Sequence, residues 1–84
     1  MELKEQLLKI LKKKYDSSTV VQLTFRRYDL VFKTDEEGNP ILLFLGKLQD
    51  NGYIKGERYA RRLIKNQQGV ITKDHWEHKG KATP

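Results

Sequence analysis

The run Asp74-His75-Trp76-Glu77-His78 is the densest group of side chains able to move a proton or hold a metal in this chain. Imidazole titrates near neutral pH and is the commonest metal ligand. On a helix, His75 and His78 would stand one turn apart on one side and could chelate together; on a strand they point to opposite faces. Val70-Ile71-Thr72 precede them, and such β-branched residues favour the strand. No metal site and no cofactor are therefore expected. Glu57 falls across from His78 if the two segments pair as neighbouring strands. That is an acid–base pair in composition, but nothing else converges on it, so a structural pair is expected and the chain is read as non-enzymatic.

The other chemistries fail on residue type or spacing. There is no cysteine, which excludes thiolate nucleophiles, disulfides and thiolate-ligated metals. Ser17-Ser18 fall where the first helix ends, a place for turn residues. Gly46-Lys47 lacks the upstream glycine of a phosphate-binding loop. Asp35-Glu36-Glu37 lacks the further oxygen ligands of a calcium loop.

Positive charge is the stronger signal. The net charge is +6 over 84 residues, with +1 in residues 1–42 and +5 in residues 43–84. Arg58, Arg61, Arg62 and Lys65 lie on one segment near Tyr53 and Tyr59, where cations can grip phosphates and aromatic rings can stack on bases. These four are the candidate nucleic-acid contacts. Strand alternation divides them, with Arg61 on one face and Arg58 and Arg62 on the other. The expected pairing also gives Arg61 to Asp74 and Arg58 to Glu77.

Positioning these groups requires an α+β fold in one domain spanning 1–84. Residues 2–15 read as an N-terminal amphipathic helix: Leu3, Leu7, Leu8, Ile10, Leu11 and Tyr15 share one arc, with Lys9, Lys12 and Lys13 opposite. From Thr19 the period becomes two, as in strands. Five strands are expected, at about 19–26, 28–34, 41–49, 53–65 and 70–78, forming a curved antiparallel meander on which the helix packs. A frayed tail is expected over 79–84. Glycine-marked turns at Asp35–Gly38, Asp50–Gly52 and Asn66–Gly69 separate the later strands.

With Asn51-Gly52 as a two-residue turn, Phe44 faces Tyr59, and one face collects Tyr28, Leu30, Phe32, Leu42, Phe44, Tyr59 and Trp76. The other face then carries Leu43, Leu45 and Ile64. One helix cannot cover both, so Leu43, Leu45 and Ile64 are the candidate interaction surface of a binding or assembly module. Its expected partner is a second copy (a homodimer) or another protein, with nucleic acid as the alternative through the basic strand. A winged helix with a recognition helix at Ile41–Leu48 fits less well, since that segment would be apolar nearly all round. The longest apolar run, Ile41–Leu45, is far short of a membrane span, and a cytoplasmic location is expected.

Overall fold

The computed structural model describes residues 4–82. One helix, α1 (Glu5–Leu11), precedes five strands: β1 (Val20–Phe25), β2 (Tyr28–Thr34), β3 (Pro40–Leu48), β4 (Ile54–Lys65) and β5 (Ile71–Ala82). They form a single antiparallel sheet whose spatial order is the chain order. Ile41–Leu48 is thus strand, not a recognition helix.

The helix is seven residues, shorter than the expected 2–15; Glu2 and Leu3 of that span lie outside the described residues. Its C-terminal end is set by Tyr15. The Tyr15 N–H donates to the Gly38 carbonyl at 2.9 Å, and its ring meets Phe32 edge-on at 4.9 Å. Its hydroxyl donates to the Ile10 carbonyl at 2.8 Å. A short helix gains little alone in water, so these contacts with the sheet outweigh a further turn. Leu7 and Leu11 are buried in the same cluster as Leu30, Phe32, Leu43, Leu45 and Tyr59. The sheet face carrying those residues is the core face, and the opposite face is open.

Three corners share one design. At each, a residue at position i accepts from the N–H of a glycine at i+3 and donates its own N–H to the carbonyl at i+4. The sets are Asp35, Gly38 and Asn39; Gln49, Gly52 and Tyr53; and Asn66, Gly69 and Val70. The glycines have φ of +83°, +87° and +81°, the left-handed region that side chains disfavour. These are three-residue loops with a glycine bulge. The loop at Gly52 is therefore one residue longer than the two-residue turn expected there.

That residue shifts the β3–β4 pairing by one and turns β3 over. Leu43, not Phe44, faces Tyr59. Between β2 and β3 the register slips at Lys33/Thr34, so Leu30 faces Leu45 and Phe32 faces Leu43. Leu43 and Leu45 thus occupy the core, while Leu42 and Phe44 move to the open face. Leu43 is fully buried and Leu45 nearly so, and Ile64 stands 42% exposed on the other side. The interaction surface expected at these three residues is not one surface.

Residues 79–82 of the expected tail are strand, while 83–84 lie outside the described residues. Gly80, at φ +98°, marks a bulge between the pairs Glu57–Lys81 and Tyr59–His78. The bulge lets β5 regain its pairing with β4. No helix among the described residues is long and apolar enough to cross a membrane.

Candidate functional site

The residues singled out by type are sorted by the sheet into two groups. Arg61 points to the core face, and its side chain is only 6% exposed. It grips Asp74 with two bonds of 2.7 Å, from Nε and Nη2. Its Nη1 donates to the Leu11 carbonyl at 3.1 Å and the Pro40 carbonyl at 3.2 Å. Hydrogen bonding from Arg61 holds the Asp74 carboxyl below the usual aspartate range despite desolvation. All three nitrogens of this guanidinium bond within the fold, so Arg61 serves as a structural strut. Lys65 is bonded to Glu37 across the sheet's end. Arg58 and Arg62 are exposed on the open face. The four candidate contacts are therefore not one patch.

The expected Arg58–Glu77 pair does not form: Glu77 is bonded to Lys79 at 2.8 Å instead. Arg58 makes one long bond, 3.4 Å, to the Lys79 carbonyl. Among the described residues neither Arg58, Arg62 nor Lys33 lies within ion-pair distance of a carboxylate.

The Glu57–His78 pair does form, Oε2 to Nε2 at 2.9 Å, with Lys81 3.7 Å from the other oxygen. The His78 hydrogen bond is the main reason that the Glu57 carboxyl titrates below its ordinary range. His78 also leans on the Tyr59 ring at 5.1 Å. His75 pairs with Arg62 in the ladder and faces the other way, so the two histidines do not converge. Among the described residues no three metal-binding side chains cluster.

Two hollows remain. One, about 420 Å³, lies beside α1 on the core side, with Leu7, Phe25, Leu45 and Glu57 among its lining residues. Its carboxylate is already held by His78, which leaves no free acid–base pair. The other, about 410 Å³, is on the open face, with Val31, Lys33, Phe44, Tyr53 and Arg58 in its wall. Here Val31, Phe44 and Arg58 form one cross-strand row and Lys33, Leu42 and Ala60 the next. Phe44 is half-buried at the centre of the sheet, and Tyr53 is 62% exposed at the rim. An aromatic floor, a second ring at the edge and cations without an ion-pair partner among the described residues offer both stacking and charge on this face.

Phe44 and Lys33 are not legible as site residues in the sequence, because a two-residue turn at Asn51-Gly52 puts Phe44 in the core. The three-residue loop is what exposes it. No family model, curated protein or solved structure matches the chain.

Proposed function

We propose that this chain is a non-enzymatic binding module that takes single-stranded nucleic acid on the open face of its sheet. The observation carrying this reading is the row Val31–Phe44–Arg58 beside Lys33: a half-buried ring flanked by cations with no carboxylate partner among the described residues. A base stacks on Phe44 or Tyr53, and its phosphates meet Arg58, Lys33 and Arg62. The +6 net charge favours approach of a polyanion. A duplex would keep its bases from the ring, so single strands are preferred.

Binding of a short fluorescent oligonucleotide tests this. If three cations each neutralise one phosphate, log K falls against log salt with a slope of about −2. Phe44→Ala removes the stacking platform and weakens binding by about 1–3 kcal/mol, while Arg58→Ala flattens the salt slope by about 0.7. Absence of binding at low ionic strength overturns the reading. So does binding that Phe44→Ala and Arg58→Ala leave unchanged, and a face that captures a protein instead of an oligonucleotide.

A further inference from the structure

The two edges of the sheet differ in how they are guarded. An unpaired edge presents free N–H and C=O groups and invites another strand; proteins blunt such edges with lysines, bulges or prolines. The β5 edge is blunted: it carries Lys73, Lys79 and Lys81 and the bulge at Gly80. The β1 edge is not. Its six residues, Val-Val-Gln-Leu-Thr-Phe, contain no charge, no proline and no glycine, and among the described residues β2 is its only neighbour in the sheet. Val20 is 60% and Leu23 37% exposed.

The direction of its free groups is fixed by the ladder. The Thr34 N–H donates to the Thr19 carbonyl, so at this end an odd-numbered residue bonds inward to β2. Inward and outward bonding alternate along an antiparallel strand. Val20, Gln22 and Thr24 therefore turn their backbone groups outward.

From this we infer that β1 is a dimerisation edge, pairing antiparallel with β1 of a second copy about a two-fold axis through Gln22. In that register Gln22 faces its own counterpart and Val20 faces Thr24 of the other copy. All three outward residues then exchange bonds, which closes both edges at once. The occupant is a second copy because the strand is complementary to itself under the rotation. It is also the stretch where a chain of net charge +6 can meet its like without opposing cations. The axis stands perpendicular to the sheet, so the two open faces lie side by side on one continuous ten-stranded surface. This inference does not depend on what that face binds.

The chain has no cysteine, so a single introduced one reports the register. Directly bonded antiparallel residues have Cα atoms about 5.5 Å apart, within the range a disulfide spans. Gln22→Cys is expected to give a covalent dimer on mild oxidation. Thr24→Cys, whose counterpart lies roughly 13 Å away along the strand, is not. Sedimentation of the unmodified chain should show twice the chain mass at rising concentration. Gln22→Lys, which sets two cations opposite each other, should return it to a monomer with unchanged circular dichroism. A monomer at every concentration overturns the inference, as does a dimer that survives Gln22→Lys or crosslinks through Thr24→Cys but not Gln22→Cys. A monomer that accepts a foreign extended peptide along β1 also overturns it. Oligonucleotide binding by the Gln22→Lys monomer separates this outcome from that of the open-face reading.

Discussion

Arg61 joins three parts of the chain through one guanidinium: the end of α1 at Leu11, the start of β3 at Pro40, and Asp74 on β5. A lysine could hold one of these partners but not the planar fork. Arg61→Lys is therefore expected to cost about 2 kcal/mol in urea unfolding. Asp74→Asn leaves a buried guanidinium short of its counter-charge and should cost about 3 kcal/mol. The lowered Asp74 carboxyl also sets a pH dependence. A folded-state pKa below the unfolded one gives stability that is complete above the ordinary aspartate value of 3.8 and is lost as pH falls through the lowered folded value. Acid titrations of stability should thus be shallower for Asp74→Asn than for the unmodified chain. This pair was legible in the sequence, because opposite charges on neighbouring strands meet even when the register is off by two. The Arg58–Glu77 pair was not, because Lys79 on the same strand reaches Glu77 first.

The elements turn on their corners. Gly38, Gly52 and Gly69 share one backbone conformation but not one environment. A methyl at Gly52 or Gly69 would meet nothing within 4 Å, whereas at Gly38 it would stand 2.1 Å from the Tyr15 carbonyl oxygen. Gly52→Ala and Gly69→Ala should each cost about 1–2 kcal/mol, the strain of a side chain at positive φ. Gly38→Ala should cost clearly more in the same thermal or urea assay, because it also pushes out the segment after α1. Gly46 and Gly56 face each other so closely that a methyl on either would meet the other strand's backbone at 2.2 Å. Corner positions were readable from their Asp, Asn and Gly residues. Loop length was not, since Asn-Gly suits two-residue and three-residue loops alike. Strand existence survives such an error, but the face of every β3 side chain does not. Helix length was overread for a related reason: the apolar arc runs on through Tyr15, yet Tyr15 finds better partners on Phe32 and Gly38.

Across the whole molecule, the sheet divides the side chains into a covered face and an open one. The core face spends its apolar side chains on α1, and Arg61 is tied down there. The open face keeps Phe44 with Arg58 and Lys33, neither within ion-pair distance of a carboxylate among the described residues. The surplus apolar surface was legible as a quantity, because seven helical residues cannot cover a five-stranded sheet on both sides. Its location was not, since parity alone decides which residues it comprises.

Spatial order that repeats chain order has a further effect. Each strand is laid against the one made just before it, and no segment must be threaded between two others. Only β2, β3 and β4 are flanked on both sides, and β3 lies furthest from either margin. In the Gln22→Lys monomer deuterium should therefore enter from the margins inward: first the outward amides of β1 and β5, last those of Leu43, Phe44 and Leu45. The ring that we assign to contact a ligand is mounted on the strand expected to exchange last.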